Sequence, residues 1–191
     1  MIMPIESGWA TVGPFFHAVL PWKDGGAMAR PETKGEPITI IGCILDAEEQ
    51  PINDAMIELW QANAAGRYNH PEDTQPGELD PSFQGFGRVT SDAQGCFTVN
   101  TIKPGPVRGL GNSWQAPHIE VSVFARGVLK RLVTRLYFEG EPANEHDPVL
   151  SLVEETQRRE TLMAKPDPKE RGRWHFTLRL GGPQETVFFE V

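Results

Sequence analysis

The sequence predicts an all-β domain: a β-sandwich of about eight strands with a short helical insertion, preceded by an irregular N-terminal arm. Three observations lead there. Glycine (19) and proline (17) are spread through 191 residues, which demands many turns. Short apolar stretches, β-branched or alternating, recur between those breakers. Only the segment 148–165 carries helical spacing. A hydrophobic content of 39% and a charged content of 23% suffice for the packed core of one domain.

Residues 1–37 hold ten glycines and prolines that bear on the reading, Gly13, Pro14, Gly25 and Gly26 among them, and no periodic element survives that density. Trp9, Phe15, Phe16, Leu20 and Trp22 make the stretch too apolar for a free tail. It reads as an arm that packs on its own domain or on a partner, with the sandwich domain running over 38–191. Ile38–Asp46 is apolar on both faces, the pattern of a strand buried on both sides. Ala55–Ala62 is a second strand, with Met56, Glu58, Trp60 and Ala62 on one face. The polar excursion from Asn63 to Gln84 is long for a compact domain, and such loops are usually functional. Phe86–Thr90 and Cys96–Thr101 read as a hairpin closed near Asp92–Gly95. His118–Phe124 alternates His, Glu, Ser and Phe against Ile, Val and Val; Leu132–Phe138 follows as a strand. Two short helices fit 148–165, with Pro148 at a first helical position. Arg173–Leu180 alternates cleanly, and Glu185–Val191 closes the list as a strand.

Composition excludes some functions. Acidic residues exceed basic ones, 26 against 18, for a net charge of −8, which argues against nucleic-acid binding. No apolar run reaches the ~20 residues of a membrane span, and the N-terminus lacks the basic and apolar regions of a secretory leader. Cys43 and Cys96, far apart in sequence, read as buried reduced thiols in a cytoplasmic protein. A chain of this charge needs a local cation wherever it is to meet an anionic substrate.

The five histidines show no zinc-binding spacing. His146 and His175 read as surface residues, and Arg158 and Arg159 as solvated helix charges. His118 opens a strand with Glu120 two residues on, so both side chains share a face about 7 Å apart and could grip one metal ion. Tyr68, one of two tyrosines, begins the long polar loop. Each of Tyr68 and His118 is a weak signal alone, a packing residue as readily as a ligand. Their convergence would make a strong one.

The stretch Leu59–Tyr68, Leu-Trp-Gln-Ala-Asn-Ala-Ala-Gly-Arg-Tyr, resembles the intradiol ring-cleavage dioxygenases. Asp80–Arg88, Thr101–Pro106, Ala116–Ile119 and Thr134–Phe138 resemble further family segments in the same order, so the resemblance covers nearly the whole chain. It implies an immunoglobulin-like or transthyretin-like β-sandwich and O₂-dependent cleavage of a catechol ring at a non-haem Fe(III). The family's catalytic chains hold that ion with two tyrosines and two histidines, a set suited to a hard cation. By the resemblance, Tyr68 matches the first tyrosine and His118 the first histidine. Val107 stands where the second tyrosine belongs and Glu120 where the second histidine belongs. The segments 11–17, 124–127, 157–162 and 185–189 resemble the chain type that holds no iron and pairs with a homologous iron-bearing chain. That type implies 3,4-dihydroxybenzoate and O₂ as substrates, the Fe(III) held by the partner, and no metal or catalytic residue of this chain's own. Gly13 and Pro14 would then line the partner's substrate site, with Phe15 behind them, and Arg126 would face the substrate carboxylate. The competing expectations are a stand-alone dioxygenase with an altered iron site that uses Glu120, and a noncatalytic transthyretin-like binding module.

Overall fold

The computed structural model describes residue 20 and residues 22–190. Gly13, Pro14 and Phe15 lie outside the described residues. The strands are β1 Pro37–Leu45, β2 Met56–Trp60, β3 Phe86–Thr90, β4 Cys96–Ile102, β5 Val107–Arg108, β6 Trp114–Gln115, β7 His118–Phe124, β8 Leu132–Phe138, β9 Met163–Pro166 and β10 Arg173–Arg179. Among the described residues helix is scarce: 3-10 turns at Pro142–His146 and Leu150–Leu152, and one short helix, α1, at Thr156–Glu160. Eight strands follow one continuous order, β3-β2-β7-β8-β9-β10-β1-β4, and β5-β6 form a separate ribbon. The all-β reading therefore holds. Among the described residues no helix is long and apolar enough to cross a membrane.

The order curls into a barrel-like wrap. One core cluster draws Ile40, Ile44, Val99 and Phe176 from one half and Ile57, Leu59, Val121 and Leu136 from the other. The two end strands, β3 and β4, are bridged by the arm. Arg88 N donates to Gly25 O at 3.1 Å on the β3 side; Asn100 N donates to Gly26 O at 2.7 Å on the β4 side. The glycines are required by this close approach. A Cβ at Gly25 would stand 2.0 Å from Arg88 O, and one at Gly26 would stand 2.5 Å from Thr98 O. The exposed backbone of two edge strands is thus covered by the chain's own N-terminal segment.

Several elements differ from the sequence expectation. β1 is not buried on both sides: Ile38, Ile40, Gly42 and Ile44 point inward, and the alternate residues are half-exposed apart from the exposed Pro37. β3 and β4 do not form a hairpin. The Asp92–Gly95 turn is real, with Asp92 Oδ1 accepting from Gln94 N and Cys96 N, each at 2.9 Å. It hands the chain from β3, which pairs with β2, across to β4, which pairs with β1. Turn chemistry is the same whichever strands it serves. Cys43 sits directly opposite Cys96 in the β1–β4 register, and the two form a disulfide. The reduced-thiol reading is corrected, and with it the inference of a reducing compartment from free cysteines. The second expected helix gives way after Leu162 to β9, which runs parallel to β8 and antiparallel to β10. Pro148 lies in a turn, and Pro142 takes the first position of a 3-10 turn instead. Of the strand expected over Glu185–Val191, the described residues 185–190 carry only an isolated bridge, Val133 to Phe189. Arg158 and Arg159 are half-buried rather than freely solvated: they donate to the backbone carbonyls of Glu185 and Val153.

Candidate functional site

Tyr68 is placed by the loop that follows β2. Asn63 Oδ1 accepts from Ala65 N at 2.9 Å and Arg67 N at 3.1 Å, while its amide donates to Glu78 O at 2.7 Å. Gly66 has φ +75°, and a Cβ there would stand 2.1 Å from Pro106 O. Only glycine both takes that conformation and lets the two loops touch. Tyr68 N then donates to Asp73 Oδ2 at 2.6 Å, and the Tyr68 ring stacks on Trp60 with centroids 5.6 Å apart.

His118 and Glu120 come from one face of β7. His118 is 3% exposed. Its Nδ1 lies 2.7 Å from Ala116 O, so Nδ1 carries the proton and Nε2 offers a lone pair. The Tyr68 hydroxyl stands 3.5 Å from that Nε2, and Glu120 Oε1 stands 3.8 Å from it. Tyr68 and His118 do converge. Burial, and then the Arg135 charge, lowers the His118 pKa, so the imidazole is neutral at pH 7. Burial, and then the Glu120 charge, pushes the Tyr68 phenol up to about 12, so it keeps its proton.

Three side chains the sequence reading did not single out complete the cluster. The β7–β8 register sets Arg135 opposite Glu120 and Tyr137 opposite His118. Arg135 Nη2 reaches Glu120 Oε1 at 2.7 Å, and its Nη1 donates to Gln115 Oε1 at 2.6 Å. The Tyr137 hydroxyl donates to Asp147 Oδ1 at 3.1 Å. Asp147 is 0% exposed and also accepts from Ala116 N, Val149 N and Leu150 N at 2.7, 2.9 and 2.7 Å. It pins the approach to β7 to the helical insertion. The signal for Arg135 was its place in the Thr134–Phe138 segment; its role depends on a strand register that one-dimensional spacing does not contain.

Above the cluster lies a cleft of about 560 Å³, lined by Trp60, Tyr68, Phe86, Glu120, Ser122 and Arg131 among others. Val107, which the resemblance sets at the second tyrosine's position, is 2% exposed and pairs with Gln115 in the β5–β6 ribbon. Arg126 is elsewhere. It follows the far end of β7 and donates to Asn53 Oδ1 at 2.6 Å. The intervening strand puts it ~20 Å from His118.

The donors present do not fit the ferric ion of the family's ligand set. Val107 has no donor atom, Tyr68 is held as a neutral phenol, and the Glu120 carboxylate is matched by a guanidinium. Among the described residues, no three His, Cys, Asp or Glu side chains gather at one point.

A family model described as Dioxygenase matches residues 12–182. The alpha chain of protocatechuate 3,4-dioxygenase from Pseudomonas putida is 38% identical over 98% of this chain and 100% of its own length. This chain belongs to the intradiol ring-cleavage dioxygenases. Within that family it is also similar to the protocatechuate 3,4-dioxygenase beta chain of Burkholderia cepacia, at 39% identity over 79% of this chain and 63% of that one. Among solved structures, the dioxygenase domain of a carbohydrate-binding fusion protein from Streptomyces sp. SirexAA-E superposes with a TM-score of 0.61. Its identity is 25%, over 85% of this intradiol chain and 88% of its own.

Proposed function

We propose that this chain is the alpha-type, non-iron subunit of a protocatechuate 3,4-dioxygenase. It works with a homologous beta chain that holds the non-haem Fe(III). The pair cleaves 3,4-dihydroxybenzoate between its two hydroxyl-bearing carbons, and both atoms of O₂ enter the 3-carboxy-cis,cis-muconate product. The observation that carries the reading is the Glu120–Arg135 ion pair beside Tyr68 and His118. A salt bridge at positions that the resemblance gives to iron ligands supports the ring-cleaving iron being held by another chain. The identity to an alpha chain over the full length supports the same reading.

In this proposal Gly13 and Pro14, backed by Phe15, form part of the wall of the partner's substrate site, and the arm, residues 1–37, packs on the partner. Arg126 supplies the cation that the substrate carboxylate needs against a net charge of −8. The two halves of the strand order sharing one core support an immunoglobulin- or transthyretin-like sandwich. Reconstitution tests the function: the chain and an iron-bearing beta chain, each purified, are mixed, and O₂ uptake with protocatechuate is followed. The proposal expects activity that requires the beta chain and rises on adding this chain. Full activity from this chain alone, or a beta chain indifferent to it, would overturn it.

A further inference from the structure

The misfit between these residues and a metal ion has a specific author. We infer that the Arg135 guanidinium is a resident cation, standing where a metal would bind Tyr68, His118 and Glu120, and that its charge keeps a divalent ion such as Zn²⁺ out. The donors are otherwise close to a metal-binding arrangement. Ligand atoms around a tetrahedral zinc stand about 3.4 Å apart. Tyr68 Oη and His118 Nε2 are 3.5 Å apart, and His118 Nε2 and Glu120 Oε1 are 3.8 Å apart. The His118 Nδ1 proton is held by Ala116 O at 2.7 Å, the arrangement that presents a neutral Nε2 to a metal.

Arg135 Nη2 occupies the carboxylate instead, at 2.7 Å from Glu120 Oε1. It is not a wandering surface charge. Its side chain is 15% exposed, and its other nitrogen is held by Gln115 at 2.6 Å. Tyr137, at 3.4 Å, adds a contact that is itself anchored on the buried Asp147. A metal approaching these donors would meet a fixed positive charge within a few ångströms, and would have to break the ion pair to gain the carboxylate. The inference concerns this chain's own residues, and it stands or falls apart from the pairing with a catalytic partner.

The test uses the full-length chain, stripped with a chelator and titrated with Zn²⁺ by calorimetry, as wild type, R135M and R135K. The expectation is that R135M binds one Zn²⁺ at least about tenfold more tightly than wild type. R135K, which keeps the charge, should stay near wild type. Adding H118A to R135M should abolish the gain, which separates this site from surface histidines. If R135M does not fold alone, Zn²⁺ present during refolding should rescue it. A folded R135M that binds Zn²⁺ no better than wild type, or an unfolded one that Zn²⁺ does not rescue, overturns the inference.

Discussion

At the residue scale, the account turns on which side chains meet a charge and which meet none. Arg126 illustrates the first case. It is exposed and bound to Asn53 in this chain, so any role in catalysis depends on the partner's surface closing over it. A partly desolvated contact with a carboxylate is worth roughly 1.5–3 kcal/mol, against under about 1 for a solvated one. We expect Arg126→Ala, assembled with the beta chain, to lower kcat/KM for protocatechuate by about 10- to 100-fold and for catechol much less. An unchanged ratio of the two, in a complex shown by sizing to assemble, would reduce Arg126 to an interface residue. Asp147 illustrates a buried charge satisfied on all sides. Replacing it with alanine orphans the buried N–H groups of Ala116 and Leu150, the half-buried N–H of Val149, and the Tyr137 hydroxyl. A loss of roughly 3 kcal/mol in denaturant-measured stability is expected, whereas a loss under ~1 would mean the insertion is held by other means. At the surface, His175 bonds Asp167 at 2.8 Å. That bond, more than any other contact, lowers the Asp167 carboxyl from its ordinary value to about 2. A carboxylate depressed in the fold stabilises it above the unfolded pKa and loses that contribution as pH falls from about 4 to about 2. Asp167→Asn should therefore flatten the acid limb of the stability curve across that window and leave stability at pH 7 to 8 independent of this group's titration.

At the scale of elements, the sequence was legible where each strand states its own pattern. The alternations of His118–Phe124 and Arg173–Arg179 come through as β7 and β10 because polar and apolar faces are written into neighbouring residues. What was not legible depends on which strand lies beside which. Met163–Pro166 follows a run of helix formers, yet its backbone is drawn into the gap between β8 and β10. The β1–β4 register likewise pairs Cys43 with Cys96, two residues 53 apart in sequence. Tyr68 and His118 were each visible as candidates, and their convergence needed the Gly66 turn to fold the loop back. Arg135 needed the β7–β8 register. Two element-level tests follow. Cross-linking a loop of this length limits the unfolded chain by up to about 4 kcal/mol in the chain-entropy model. Reduction of the disulfide should accordingly lower Tm by several degrees, and an unchanged Tm in reductant would mean that the pair contributes nothing. Gly25→Ala must displace the arm from β3, since its Cβ would lie 2.0 Å from Arg88 O. Faster amide exchange along β3, the edge strand the arm covers, is the expected signature.

At the scale of the whole molecule, the chain has the fold of an intradiol dioxygenase, and in the proposed reading the metal chemistry belongs to the partner chain. The eight-strand order, the loop that presents a tyrosine and the strand that presents a histidine are all in place. By the resemblance, Val107 and the Glu120–Arg135 pair stand at the remaining ligand positions. Restoring the missing donors, with Val107→Tyr and Glu120→His together, is expected to be necessary for a ferric centre, and neither change alone should yield one, because Arg135 and its supports still fill the space. The division of labour between two homologous chains is the central claim, and iron analysis combined with the visible spectrum measures it most directly. The chain purified alone should contain far less than stoichiometric iron and show no tyrosinate-to-iron absorption, while its complex with the beta chain should show both, with iron in proportion to the beta chain only. Tightly bound, stoichiometric Fe(III) with that absorption in the isolated chain would contradict the account.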